Sequence, residues 1–232
     1  MSGLDLQPSK LGTKEHWDNV YKEEVANFEE IGDEGEIWFG VESVEKMVEW
    51  AEKYTPPTTT PSILEVGSGN GTLLLALLEA NYPAKNLAGI DYSEDAVRLS
   101  KMVAASKDGE DITFSRCNFL TEDPPKLSYM GSDNTAVWDL LLDKGTYDAV
   151  ALGQKDEQGK SPAAKYPARA ARLIKPGGYF LITSCNFTEE ELKANFVSEE
   201  TGLQYHSRIQ HPTFTFGGKS GSICCSAAFQ KS

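Results

Sequence analysis

Ile63-Leu64-Glu65-Val66-Gly67-Ser68-Gly69-Asn70-Gly71-Thr72-Leu73 joins four residues of strand character to an apolar helix through glycines at alternate positions. Without side chains the backbone turns sharply and lets a ligand approach the main chain, and the helix start presents N–H groups with no intrahelical partner. This is a nucleotide-type site. The next strand, over 87–90, runs into Asp91, 24 residues beyond Gly67, where a carboxylate accepts hydrogen bonds from both hydroxyls of a ribose. A dinucleotide fingerprint needs G-x-G-x-x-G, and the position that would complete it here is Thr72.

Beyond the loop the chain alternates short apolar strands with helices. The pattern predicts strands over 63–66, 87–90, 112–117, 137–142 and 179–183, and helices over 72–81 and 162–174. Ser93 is placed to cap a helix through Ala96, Val97 and Met102, and Thr188-Glu189-Glu190-Glu191 opens another. Two closing strands, 203–209 and 222–230, flank a turn at Gly217-Gly218-Lys219-Ser220-Gly221. Such alternation with short connections predicts an α/β fold, a mostly parallel sheet with helices on both faces.

Ahead of this domain, assigned to residues 62–232, residues 1–61 read as an acidic helical extension packed on the core. Thr13 caps a first helix carrying Trp17, Val20 and Tyr21; Val41, Val44, Met47, Val48 and Ala51 stripe a second, which ends before Pro56-Pro57-Thr58-Thr59-Thr60-Pro61. Between positions 15 and 52 there are 13 acidic residues and two basic ones, Lys22 and Lys46. That charge either solvates a helical face or raises the encounter rate with a basic partner.

The whole chain of 232 residues carries a formal charge of −13, which argues against a phosphate-tracking nucleic-acid surface. The longest apolar run, over 73–78, is too short for a membrane span, and the start lacks a secretory pattern, so a location inside the cell is expected. Cys117, Cys185, Cys224 and Cys225 form no C-x-x-C pair; they are expected as buried thiols, with no metal site.

Glu65-x-Gly67-x-Gly69-x-Gly71 resembles the first motif of the seven-stranded, S-adenosylmethionine-dependent methyltransferases (class I, Rossmann-like). With no pyrophosphate to neutralise, Glu65 is acceptable near the loop, where it organises the loop or meets the methionine ammonium. The resemblance implies S-adenosyl-L-methionine as cofactor, seven strands with an antiparallel last strand, and cofactor contacts from Glu65, Gly67, Gly69, Asn70, Asp91 and Tyr92. It adds Asn118 for the adenine amine and Phe119 against the ring. Leu173-Ile174-Lys175-Pro176-Gly177-Gly178-Tyr179 resembles the turn before the fifth strand of that class.

Leu141-Leu142-Asp143-Lys144-Gly145-Thr146 stands where donor and acceptor meet, and it carries neither Asn-Pro-Pro-Tyr nor a two-glutamate loop. Asp143 is the candidate to hold a lysine ammonium and assist loss of its proton; anchoring the strand-end turn or contacting the cofactor are the alternatives. Leu11-Gly12-Thr13-Lys14-Glu15-His16-Trp17-Asp18, Gly35-Glu36-Ile37-Trp38-Phe39-Gly40, Asp143-Lys144-Gly145-Thr146, Leu181-Ile182-Thr183-Ser184-Cys185-Asn186 and Phe214-Thr215-Phe216-Gly217-Gly218-Lys219-Ser220-Gly221 together resemble the protein-lysine methyltransferases acting on translation elongation factor 1-alpha. The resemblance implies a cytoplasmic enzyme with that basic factor as partner. It gives Trp38 a catalytic role as an aromatic wall, with core packing the alternative, above all for Phe39; Tyr147, Phe187 and Phe216 are weaker candidates for the same wall. The cofactor motif by itself leaves open a small molecule, another protein nitrogen, or a non-catalytic docking module. Residues 153–160 form a polar loop of no evident motif.

Overall fold

The computed structural model describes residues 6–131, 137–212 and 223–232, together with the backbone of 214–216 and 219–221. In chain order the elements are α1 (Lys14–Ile31), α2 (Gly40–Tyr54), β1 (Ile63–Val66), α3 (Thr72–Glu79), β2 (Leu87–Asp91), α4 (Glu94–Ala105), β3 (Thr113–Arg116) and β4 (Trp138–Lys144). There follow α5 (Thr146–Ala151), α6 (Tyr166–Leu173), β5 (Ile174–Ser184), α7 (Glu189–Phe196), β6 (Leu203–Ile209), β7 (Phe214–Phe216), β8 (Lys219–Gly221) and β9 (Cys225–Lys231). Seven strands form one sheet in the order β3-β2-β1-β4-β5-β9-β6, and β7 pairs with β8 apart from it. β1 to β5 run parallel, and β9 is antiparallel to both its neighbours. This is the Rossmann-like methyltransferase architecture expected from the sequence.

Both faces of the sheet are covered, so its strands alternate between two cores rather than between core and water. Leu64, Val66, Leu141, Ile182 and Ala227 face the core built with α5, α6 and α7. Their neighbours Ile63, Leu140, Leu142, Leu181 and Ala228 face the one shared with α2, α3 and α4. The chain leaves β1 towards β2 and β3 on one side, then crosses to β4 on the other. That switch opens a crevice at the carboxyl ends of β1 and β4.

Local chemistry accounts for the helix ends. The Thr13 side chain accepts from His16 N–H at the start of α1, and Gly32 ends that helix in the left-handed region. Thr188 and Glu191 form a reciprocal capping box on α7.

Several expectations need correction. Ser93 stands at the N-cap of α4, but its hydroxyl makes no hydrogen bond. Val41 is 54 % exposed: the buried arc of α2 is centred near Met47 and Ala51, and Trp50 widens it on the side away from Val41. The helix read over 162–174 is a 3-10 turn, Pro162–Lys165, followed by α6, and β5 begins at Ile174. Of the cysteines, Cys117 alone is buried, while Cys185 is exposed and Cys224 and Cys225 are intermediate. The turn at Gly217-Gly218 and the side chain of Phe216 lie outside the described residues. Among the described residues no helix is long and apolar enough to cross a membrane, and no group of three or more His, Cys, Asp or Glu is arranged to hold a metal ion.

Candidate active site

β1 delivers the chain into a loop in which Gly67, Gly69 and Gly71 all lie in the left-handed region, at φ +68°, +52° and +81°. The N–H groups of Gly67 and Ser68 both donate to Ile90 O, at 2.7 and 3.0 Å, which ties the loop to β2. Glycine is required at two positions for reasons of space as well as φ. A Cβ on Gly67 would lie 1.9 Å from Thr146 Oγ1, and one on Gly69 2.6 Å from Tyr21 Oη.

Asp91 ends β2 beside this loop, 6 % exposed. Its Oδ2 accepts from Gly69 N–H at 3.2 Å and its Oδ1 from Ser93 N–H at 2.9 Å. Burial pushes the carboxyl up to about 6, although these backbone donors pull the other way. Near neutral pH it is therefore ionised, buried, and able to accept further donors.

Loop and carboxylate form one wall of a cleft of about 290 Å³ at the switch point, near the lower end of small-molecule sites at roughly 300 Å³. Gly67, Gly69, Asn70, Asp91, Tyr92, Asn118, Phe119 and Trp38, all named from the sequence, line it together. Asn118 Oδ1 accepts from Leu120 N–H at 3.1 Å, which fixes the turn after β3. Phe119 is seated between Tyr166, at 4.7 Å between ring centroids, and the Arg169 guanidinium. Tyr92 donates its hydroxyl hydrogen to Thr13 O at 3.4 Å. Asn70 is committed within the fold: Oδ1 accepts from Thr72, and Nδ2 donates to Glu34 O and Glu36 O at 3.0 and 3.5 Å.

The amino-terminal extension completes the cleft. Trp17 and Tyr21 of α1 and Glu36 and Trp38 of the segment after it line the cleft. Trp17 Nε1 donates to Leu11 O at 2.7 Å, and its indole lies 4.9 Å from that of Trp38. Burial, with Asp91 as the next cause, holds the Tyr21 hydroxyl far above its ordinary range. The start of the chain is stitched to the far rim: Ser9 N–H donates to Leu152 O, and a Cβ on Gly12 would lie 2.1 Å from the Leu152 carbonyl carbon. Gly153 and Gln154, from the polar loop of no evident motif, reach the same rim.

Two expected residues sit behind the wall instead. Asp143 is fully buried and absent from the cleft lining. It accepts from the N–H groups of Thr146 and Tyr147 at 2.9 and 3.0 Å and from the Tyr166 hydroxyl. Burial pushes its carboxyl up to about 7, and the Tyr166 hydrogen bond opposes that. It anchors the strand-end turn and has no face for a substrate ammonium. Glu65, 2 % exposed, likewise does not reach the cleft; its Oε2 has no hydrogen-bond partner. Tyr147 and Phe187 lie against each other, tilted, with ring centroids 4.9 Å apart within the core, not on the wall.

Sequence reasoning missed Trp17, Tyr21, Glu36, Ser68, Lys144 and Thr146 as lining residues. Trp17 and Tyr21 lie four residues apart on one helical face, a spacing that marks a shared face without saying what it meets. Strand alternation puts Lys144 on the face opposite Asp143.

A family model described as a methyltransferase domain matches residues 59–220. The chain is 40 % identical to protein-lysine N-methyltransferase efm4 of Schizosaccharomyces pombe, over 99 % of this chain and 97 % of that protein. It is 39 % identical to EEF1A lysine methyltransferase 2 of Homo sapiens, over 97 % of this chain and 88 % of that one. Among solved structures, magnesium protoporphyrin IX methyltransferase from Synechocystis with bound SAM is similar in fold, with a TM-score of 0.55 at 14 % identity, over 91 % of this chain and 97 % of that chain. A loop and buried carboxylate at the switch point of a seven-stranded sheet, with near full-length identity of this order, place the chain in the protein-lysine N-methyltransferase family of efm4 and EEF1A lysine methyltransferase 2.

Proposed function

We propose that this chain transfers a methyl group from S-adenosylmethionine to a lysine of translation elongation factor 1-alpha. The observation that carries the reading is the left-handed glycine loop bonded to the buried carboxylate of Asp91 on one wall of the cleft. The residues present fit the cofactor. Asp91 has capacity for the ribose hydroxyls, Ser68 Oγ is buried on the cleft wall without a partner, and Asn118 with Phe119 offers a polar edge and an apolar face for adenine. Bound there, S-adenosylmethionine supplies an electrophilic methyl group on a sulfonium. The substrate rests on the relatives, whose names specify EEF1A.

The acceptor nitrogen must arrive as a free amine, and an unperturbed lysine holds its proton up to about pH 10.4. With Asp143 withdrawn, Asp91 and Glu36 are the carboxylates on the cleft wall among the described residues. Asp91 serves the ribose, so Glu36 takes the substrate ammonium at the mouth and Trp38 gives it an aromatic face. Apolar surroundings disfavour the charged amine and so assist loss of its proton. Most of the acceleration then comes from alignment, worth up to roughly 7–11 kcal/mol. The reading carries with it the division into a 1–61 extension and a 62–232 catalytic domain, and a cytoplasmic location alongside the translation machinery.

Transfer of tritiated methyl from S-adenosylmethionine into a cell extract tests the assignment. One labelled band at the size of elongation factor 1-alpha, lost with Asp91→Ala, is expected. Label confined to small molecules would point to a different acceptor, and none at all to a docking role.

A further inference from the structure

The segment that joins α1 to α2 lies along the cleft as a strap, held by its main chain. The carbonyl oxygens of Glu34, Glu36 and Trp38, alternate residues of the strap, all accept from side chains of the opposite wall. Asn70 Nδ2 takes the first two at 3.0 and 3.5 Å, and Lys144 Nζ takes the third at 3.1 Å. A third side chain, Glu24, accepts from Glu36 N–H at 3.0 Å. Where the strap meets α2, Phe39 is left-handed at φ +64°, and a Cβ on Gly145 would lie 3.0 Å from its ring. The strap is thus fitted against the exit of β4 as well as hung from it.

Lys144 is an unexpected residue here, because a cation on the wall of a cleft that receives an ammonium repels its own substrate. The sheet register resolves this. Glu65 pairs with Leu142, and Leu142 and Lys144 point to one face of β4, which places Glu65 and Lys144 on the same side of neighbouring strands. Burial raises the Glu65 carboxyl and disfavours the Lys144 ammonium, while each draws the other back towards its charged form. Lys144 Nζ donates to the Trp38 carbonyl.

We propose that Lys144 is a positioning residue for methyl transfer, hanging the strap by the Trp38 carbonyl and so fixing the Trp38 indole and the Glu36 carboxylate at the cleft mouth. The proposal rests on the roles given above to Trp38 and Glu36. It concerns the acceptor side, and cofactor affinity is not part of it.

Lys144→Met removes the donor and keeps the length of the side chain. Amide hydrogen exchange over 34–39, followed by mass spectrometry on the free protein, should rise about tenfold or more, while exchange over 63–66 stays unchanged. Turnover on elongation factor 1-alpha should fall about tenfold, with cofactor affinity within about twofold of wild type. In a Trp38→Ala background the same substitution should cost less than about twofold further, because both changes disable one device. Lys144→Arg, which keeps a donor, should restore most of the exchange protection. Unchanged exchange over 34–39, or an equal loss of turnover in both backgrounds, overturns the proposal. Should Lys144→Met fail to fold because Glu65 is left unpaired, the double variant Glu65→Gln with Lys144→Met removes both charges and is read by the same outcomes. If the wild type transfers no methyl to elongation factor 1-alpha, the functional reading fails and the exchange measurement still decides the strap.

Discussion

Tyr166 donates its hydroxyl hydrogen to Asp143 Oδ2 beneath the floor of the cleft, and the same carboxyl takes the N–H groups of Thr146 and Tyr147. Asp143→Ala would leave these three buried donors without an acceptor, at about 1–3 kcal/mol each. The variant should lose at least about 3 kcal/mol of stability by denaturant titration. Asp143→Asn keeps an acceptor for the turn and should retain turnover within about threefold at low temperature. A turnover loss of a hundredfold or more in a folded Asp143→Asn protein would restore Asp143 to the chemistry.

Why Asp143 misled is a matter of strand alternation. Leu141 and Asp143 share one face of β4, and Leu142 and Lys144 the other. In a parallel sheet both faces are buried, so the pattern does not say which one borders the ligand. The glycine loop and Asp91 were legible because backbone conformation and position in the strand–helix order define them. Glu36, Trp17 and Tyr21 come from an extension whose docking on the cleft follows from tertiary packing, and no local spacing encodes that. Trp38 was legible only through its resemblance to a family motif.

Asp91→Ala should weaken S-adenosylmethionine by about a hundredfold or more, because each hydrogen bond to a charged acceptor is worth roughly 1.5–3 kcal/mol. The carboxyl of the free protein titrates at about 6, so wild-type affinity should also fall as pH drops through that value. Isothermal titration at pH 7.5 and 5.5 checks both. Equal affinity in mutant and wild type would remove Asp91 from the site.

The buried carboxyls should contribute to stability in the sense opposite to ordinary acid denaturation. Burial raises the carboxyls of Asp91, Asp143 and Glu65 to about 6, 7 and 8. A carboxyl raised on folding binds more protons in the native state, so its contribution is full below its unfolded value and is lost as pH rises through the folded one. Their share of the stability should therefore climb as pH falls from 8 towards 5, while His206 and His211, whose imidazoles burial holds below their ordinary value, contribute in the opposite sense. Asp143→Asn should flatten the part of the climb between about pH 5 and 7. A pH profile of melting temperature with the same shape in Asp143→Asn and wild type would contradict the burial of Asp143.

Salt should act on the encounter with the whole protein substrate. Glu23, Glu30, Glu45 and Glu49 are exposed on α1 and α2, whereas Glu24 is half-buried and holds Glu36 N–H, so it belongs to the fold. Changing those four to Gln should flatten the salt dependence of association with elongation factor 1-alpha, since the Debye length is only about 10 Å at 0.1 M. Stopped-flow traces at several ionic strengths read this directly. Identical slopes in mutant and wild type would reduce the acidic surface to a solvated face.

The central claim is that the strap-borne Glu36 and Trp38 present a lysine of elongation factor 1-alpha to a cofactor held by Asp91. Peptide mass spectrometry of purified elongation factor 1-alpha, after incubation with S-adenosylmethionine and either wild type or Glu36→Gln, tests it most directly. The account predicts methylation confined to one lysine by the wild type. It also predicts a rate at least about tenfold lower for Glu36→Gln, with cofactor affinity unchanged. Methyl groups scattered over many lysines, or an equal rate in the two proteins, would contradict it.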